Sequence, residues 1–162
     1  MSQPLNIAVV GLGRMGKRHV HTILYRVPHA RVVAVCSTMP HEIEWAKQNP
    51  EYQEFGITAY SDYNEMLNHP GLQAVWVSTS TDVHASQSLA AISKGLHVLC
   101  EKPLSTNMAE AQTVVDAAKK NPQLKVMAGF SRRFDASYRD AVDKKENALY
   151  HAILRQKNPP RT

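Results

Sequence analysis

The sequence is poor in cysteine, in metal-binding patterns and in long apolar runs, and each shortage excludes a class of protein. Its two cysteines, Cys36 and Cys100, lie in apolar runs without paired histidines, so they form no zinc motif. We expect them to be reduced core residues of a cytoplasmic protein. No stretch approaches the ~18 consecutive apolar residues of a membrane span. The first residues also lack the basic region and apolar core of a signal peptide.

The excess of positive charge is confined to one end of the chain. The formal net charge is +5, and residues 132–162 hold eight Lys/Arg against four Asp/Glu, a difference of +4. A local basic tail without a recognition motif is typical of a solvated surface rather than of a DNA-binding site. Nucleic-acid binding is therefore not expected, although such a tail would suit an anionic cofactor or an acidic partner.

Apolar runs alternate with amphipathic segments along the whole chain, and no segment is repeated. The runs predict strands at 5–10, 31–36, 57–60, 72–77, 96–100 and 124–128. Helices are predicted at 14–25, 40–48, 61–67, 82–94, 105–120 and 136–147, the fourth capped by Asp82 and the fifth by Ser105. Such alternation predicts an α/β fold, a doubly wound parallel sheet in the order 3-2-1-4-5-6.

A glycine motif stands where the first strand turns into the first helix. Gly11-Leu12-Gly13-Arg14-Met15-Gly16 matches G-x-G-x-x-G, and this strand–helix context makes the match specific. The first glycine permits the tight turn, Gly13 lets the backbone approach a pyrophosphate, and Gly16 allows close helix–strand packing. The sequence therefore predicts a Rossmann domain that binds NAD or NADP, with contacts also from Arg14 and Met15.

The choice between the two dinucleotides depends on the end of the second strand. An NAD site usually places Asp or Glu there, but this sequence has Ser37 and Thr38, with Arg14 and His41 nearby. Small hydroxyl groups can donate to a 2′-phosphate that a carboxylate would repel, and so NADP is predicted as the preferred cofactor. Alternatively, the two hydroxyls cap the helix that begins near Pro40, and both roles are compatible.

Polar segments follow three further strands and should meet at the carboxyl edge of the sheet. They read Ser-Thr-Ser-Thr-Asp-Val-His from residue 78, Glu-Lys-Pro from 101 and Arg-Arg-Phe-Asp from 132. Together with the glycine motif, these segments resemble the Gfo/Idh/MocA oxidoreductases, above all the inositol 2-dehydrogenase branch. The resemblance covers about residues 5 to 145.

The resemblance implies hydride transfer between the nicotinamide and a polyol or sugar. Lys102 would be the catalytic lysine that contacts the substrate hydroxyl, and Glu101 would orient Lys102 or the nicotinamide ribose. Arg132 or Arg133 would face the nicotinamide end or the substrate. Four residues would line the ribose and diphosphate of the cofactor: Thr79, Ser80, Thr81 and His84. No role is expected for the histidines other than His41 and His84.

The family also has a second, substrate-binding domain that supplies a catalytic histidine. We expect residues 1–146 to form the NAD(P)-binding Rossmann domain and residues 147–162 a divergent basic tail, with the second domain absent. Losing the positioning of the substrate and the base predicts little dehydrogenase activity for the chain alone. The surface left bare would favour a homodimer. A non-catalytic NADP-binding sensor and a basic interaction protein are the alternatives.

Overall fold

The computed structural model describes residues 3–146, and its strands and helices alternate as the sequence predicts. The strands are β1 Leu5–Val10, β2 Ala30–Cys36, β3 Thr58–Tyr60, β4 Ala74–Val77, β5 His97–Cys100 and β6 Val126–Ala128. The helices are α1 Arg14–Arg26, α2 Pro40–Gln48, α3 Pro50–Glu54, α4 Tyr63–Met66, α5 Thr81–Ser93, α6 Met108–Lys120 and α7 Ala136–Glu146. A 3₁₀ helix, Ser131–Phe134, precedes α7.

The six strands form one parallel sheet in the order β3-β2-β1-β4-β5-β6. This is the predicted doubly wound order, and the Rossmann prediction is confirmed. The order reverses between β1 and β4, which pair from Ile7 with Ala74 to Val10 with Val77. The crevice beyond the carboxyl ends of these two strands is the usual ligand site of such sheets.

Both faces of the sheet are buried because successive strand residues point to opposite sides. On β1, Ala8 and Val10 pack into one apolar cluster with residues of α5, whereas Val9 packs into the other with α1. Full burial of a valine-sized side chain contributes about 1.5–3 kcal/mol. The two clusters therefore fix the sheet between its helices and hold the carboxyl ends of the strands in register.

One short helix was not predicted and two predicted helix caps were wrong, each for a local reason. Pro50 follows the end of α2 and is also the first residue of a separate helix, α3. The N-cap of α3 is Asn49, whose side chain accepts from the backbone N–H of Tyr52 at 3.1 Å. Helix α5 begins one residue before Asp82, which lies in its first turn and not at the cap. Helix α6 begins at Met108 because Asn107, rather than the predicted Ser105, accepts from its first N–H groups.

Within the described residues the chain forms two compact units, one up to Gly129 and one that begins at Phe130. In the second unit the guanidinium of Arg132 lies 3.4 Å from the carboxylate of Asp135. The predicted domain boundary at residue 146 stays a prediction, and the predicted basic tail, 147–162, lies outside the described residues. Among the helices of residues 3–146, none has the length and apolar character needed to cross a membrane.

Candidate functional site

Two glycines of the loop, Gly11 and Gly16, lie so close to neighbouring backbone that a larger residue would clash with it. Gly11 has φ of +87°, and a Cβ there would lie 2.6 Å from the carbonyl oxygen of Ser78. A Cβ on Gly16 would lie 1.7 Å from the carbonyl oxygen of Gly11. Two glycines are therefore required for α1 to pack against the carboxyl ends of β1 and β4.

Gly13 has a different role because its surroundings are open. It is the N-cap of α1 with extended backbone, and a Cβ there would approach only one atom, Oε1 of Glu42 at 4.0 Å. Arg14 and Met15 follow it, both exposed. The first N–H groups of a helix lack acceptors within the helix and attract anions. The open space before Gly13 is thus suited to the pyrophosphate of a dinucleotide, in agreement with the predicted motif.

A crevice of about 470 Å³ begins at this loop and lies between the ends of β1, β2 and β4. Its lining includes six residues that the sequence predicted for the cofactor site: Gly11, Gly13, Ser37, Thr38, Thr79 and Ser80. Glu42, Met39 and Val83 also line it. Three separate segments of the chain thus converge on one cavity.

The environment of Ser37 differs from the sequence-based expectation. Ser37 is 4% exposed, and its hydroxyl donates to Oε2 of Glu42 at 2.5 Å and accepts from the backbone N–H of Met39 at 3.1 Å. No carboxylate stands at the end of β2, but Glu42 brings one to the crevice from the first turn of α2. Ser37 does not cap α2 as the alternative suggested, because the N-cap is Met39, whose backbone N–H donates to the Ser37 hydroxyl.

The segment after β4 divides into residues that face the crevice and one that is buried. Thr79 and Ser80 line the crevice, and the hydroxyl of Thr79 donates to Gln87 at 2.7 Å. Thr81 is the first residue of α5. His84 is 2% exposed; its Nδ1 lies 2.7 Å from the carbonyl oxygen of Pro103 and its Nε2 3.1 Å from that of Thr79. His84 therefore joins two loops at the carboxyl edge.

Glu101 and Lys102 lie at the end of β5, next to β4 in the sheet. Oε1 of Glu101 lies 2.9 Å from Nε2 of His19, and its Oε2 accepts from the backbone N–H of Lys102 at 3.2 Å. The Lys102 side chain is exposed. His19, to which the sequence analysis gave no role, is thus a neighbour of the predicted catalytic segment.

The predicted arginines belong to the second unit of the chain. Both are exposed, and each guanidinium lies over an aromatic ring, Arg132 over Tyr138 at 5.1 Å and Arg133 over Phe130 at 5.4 Å. Among the side chains that the structure describes, no group of three or more His, Cys, Asp or Glu is arranged to hold a metal ion.

Comparison with known proteins gives this site a family. The inositol 2-dehydrogenase of Salmonella paratyphi B is 32% identical over 136 residues, 83% of this chain and 39% of that enzyme. The inositol 2-dehydrogenase of Streptomyces avermitilis is 35% identical over 138 residues, 85% of this chain and 39% of that enzyme. The chain thus spans about two fifths of the length of these relatives.

A solved structure agrees with these sequence matches. The scyllo-inositol dehydrogenase of Lactobacillus casei, solved with bound NAD(H) and scyllo-inositol, superposes with a TM-score of 0.78 at 32% identity. The superposition covers 89% of this chain and 42% of that one. Residues 5–130 match the oxidoreductase family that has an NAD-binding Rossmann fold. The resemblance seen in the motifs is confirmed, and this chain belongs to the Gfo/Idh/MocA oxidoreductase family.

Proposed function

We propose that this chain binds a nicotinamide dinucleotide in the crevice between β1, β2 and β4, as the cofactor-binding part of an oxidoreductase acting on a polyol or sugar. The observation that carries the proposal is the open space before Gly13, bordered by Gly11 and the first turn of α1. The backbone can approach a pyrophosphate closely there, and the helix N-terminus favours its negative charge.

The residues around the crevice have separate roles in this proposal. Gly13, Arg14 and Met15 present the first turn of α1 to the diphosphate, while Thr79 and Ser80 border it from β4. His84 contacts the cofactor only indirectly, because its ring nitrogens lie against the carbonyl oxygens of two loops. Its role is to hold these loops in place.

The bound dinucleotide supplies a hydride acceptor or donor, and Lys102 provides the proton chemistry. An ammonium at this position can donate a hydrogen bond to a substrate hydroxyl and exchange a proton with it. Glu101 positions the segment through the backbone N–H of Lys102.

Turnover by the 162-residue chain alone is expected to be low. Its Lys102 side chain is exposed, and hydride transfer needs a fixed substrate and limited access of water. A chain that binds the dinucleotide without turnover would act as a sensor, the alternative function. An assay of NAD(P)H production with myo-inositol separates these two functions; robust turnover would contradict the expectation of low activity.

Association with a second copy and a cytoplasmic location also belong to the proposal. In the second unit Phe134, Tyr138 and Val142 are 67%, 51% and 53% exposed, an apolar surface of the kind that attracts partners. Sedimentation velocity tests the homodimer, since a monomer at all concentrations would exclude it. The location is tested by fractionation of cells that express the chain.

Calorimetric titration with NADH and NADPH tests cofactor binding, with Gly13→Asp as the disabling variant. Asp is a favourable N-cap residue and Gly13 has an ordinary extended backbone, so the variant should fold. Its carboxylate would occupy the place of the pyrophosphate and abolish binding. Gly56→Asp is the matched control, because Gly56 faces open space and Asp tolerates its φ of +67°. Failure of both dinucleotides to bind the unaltered chain would overturn the proposal.

A further inference from the structure

We propose that Glu42 makes this site select NAD(H) over NADP(H), an inference that rests on the proposed dinucleotide binding. Its carboxylate accepts hydrogen bonds from the hydroxyl groups of the adenosine ribose and repels a 2′-phosphate. In Rossmann domains an acidic residue about 20 residues beyond the glycine motif has this role at the end of the second strand. Here Ser37 stands at that end, and the carboxylate comes from helix α2 instead.

The hydroxyl of Ser37 is not available to a 2′-phosphate. Its one proton is donated to Oε2 of Glu42, its oxygen accepts from the N–H of Met39, and the residue is 4% exposed. Donation to a phosphate would require breaking the bond to a carboxylate, and hydrogen bonds to charged groups are the stronger kind. The observed bond also holds the Glu42 side chain against the crevice.

The second carboxylate oxygen of Glu42 faces the glycine loop. Oε1 lies 4.0 Å from the position that a Cβ on Gly13 would occupy, so the carboxylate and the diphosphate-binding loop border the same space. In the proposed binding mode, a ribose joined to the diphosphate would lie beside this carboxylate. Its two vicinal hydroxyls can donate to a carboxylate, whereas a 2′-phosphate would place like charges together.

The positive charges near the site do not neutralise this carboxylate. Among the described residues, no lysine or arginine forms an ion pair with Glu42. Lys17, on the first helix, is held over the ring of Trp45 at 3.9 Å. The arrangement at the ribose end therefore disfavours an additional phosphate, contrary to the NADP preference that Ser37 and Thr38 suggested.

The test uses ligands that carry only the adenosine half, so that it does not depend on the nicotinamide site. ADP-ribose and 2′-phospho-ADP-ribose are titrated calorimetrically against the unaltered chain, Glu42→Gln, Glu44→Gln and Ser37→Ala. Glu44 is the matched control, since it lies on the same helix, is exposed and loses the same charge. Thermal melts of each variant confirm folding.

We expect the unaltered chain to bind ADP-ribose more tightly than its 2′-phosphorylated form. Glu42→Gln should shift the ratio of the two dissociation constants toward the phosphorylated ligand by about tenfold or more, the effect of losing a hydrogen bond to a charged group. Glu44→Gln should leave the ratio unchanged, and Ser37→Ala should retain the preference for ADP-ribose.

The possible failures are distinguishable. Tighter binding of the phosphorylated ligand, an unchanged ratio in Glu42→Gln, or an equal shift in Glu44→Gln would overturn the role of Glu42 while leaving dinucleotide binding intact. A loss of 2′-phospho-ADP-ribose affinity confined to Ser37→Ala would restore Ser37 as a phosphate ligand. Binding of neither ligand by the folded chain would overturn the proposed function itself, and the role of Glu42 with it.

Discussion

His19 Nε2 lies 2.9 Å from Oε1 of Glu101, and this contact joins the helix behind the glycine loop to the segment that carries Lys102. The imidazole also stacks on the indole of Trp76, with ring centroids 4.3 Å apart. Burial lowers the pKa of His19 below its ordinary value of 6.5, while the nearby charge of Glu101 opposes this effect without overcoming it. The folded protein therefore favours the neutral imidazole.

The lowered pKa of His19 predicts a loss of stability in acid. Below about pH 6.5 the unfolded chain binds the proton more readily than the folded one, so the free energy of unfolding falls as the pH falls. In His19→Gln, an amide that can still donate to Glu101, this part of the pH dependence should disappear. Thermal melts across the range from neutral to mildly acidic pH measure it.

His69 provides the control for that measurement. Burial also lowers its pKa, and its Nδ1 lies 2.9 Å from the hydroxyl oxygen of Tyr60. His69→Gln should remove its own contribution and leave that of His19 in place. If His19→Gln melts with the same pH dependence as the unaltered protein, the contact with Glu101 does not couple stability to protonation.

Of the glycines in the loop, Gly16 should be needed for folding and Gly13 for binding the dinucleotide. In Gly16→Ala a Cβ would lie 1.7 Å from the carbonyl oxygen of Gly11, and the free energy of unfolding should fall by about 3 kcal/mol, the upper end for overpacking. In Gly13→Ala it should fall by about 1 kcal/mol or less, as for an N-cap exchange. Urea unfolding of the two variants, with dinucleotide titration, makes the comparison.

The two variants also have opposite expected consequences for binding. Gly13→Ala should remain folded and yet bind the dinucleotide more weakly, because its methyl group enters the open space of the crevice. Equal losses of stability in both variants, or undiminished binding by Gly13→Ala, would contradict the assignment of the two roles.

The cysteines should be unreactive in the folded protein. Burial raises the pKa of the Cys36 thiol to about 12 and that of Cys100 to about 11. Because the thiolate is the reactive species, iodoacetamide at mildly alkaline pH should modify neither residue until the protein is unfolded. Mass spectrometry of native and urea-unfolded samples measures this. Rapid modification of the native protein would show that these strand ends open frequently.

The order of the sheet could be predicted because its signals are local. Apolar runs mark the strands, the glycine motif fixes the first turn, and short crossovers leave one handedness for the connections. The same reasoning placed Thr79, Glu101 and Lys102 at the carboxyl edge, since the end of each parallel strand lies there. Helix starts were harder to predict, because both Asn107 and Ser105 are residues that can cap a helix and only Asn107 caps α6.

The contacts inside the site could not be predicted because they depend on the direction of each element and on which distant residues meet. Glu42 is five positions beyond Ser37 on a different element, and only the direction of α2 brings its carboxylate to the crevice. The pairing of His19 with Glu101 spans 82 positions. The sequence shows that Glu42 lies near the start of the helix after the second strand. It does not show which way the Glu42 side chain points.

His84 joins the loop that follows β4 to the loop that follows β5. Its Nδ1 lies against the carbonyl oxygen of Pro103 and its Nε2 against that of Thr79, within a residue that is 2% exposed. His84→Phe keeps a ring of similar size but removes both polar contacts. A neutral imidazole donates from one nitrogen at a time, so losing its hydrogen bond to a loop carbonyl should lower the free energy of unfolding by about 1–3 kcal/mol.

The control is His41→Phe, the same exchange at an exposed position in the first turn of α2, where a change within about 0.5 kcal/mol is expected. Dinucleotide binding should weaken in His84→Phe even under conditions where it remains folded, because the Thr79 loop would lose a fixed position. Unfolding in urea and calorimetric titration measure the two effects. A His84→Phe variant as stable as His41→Phe, with unchanged affinity, would mean that the loops are held without this ring.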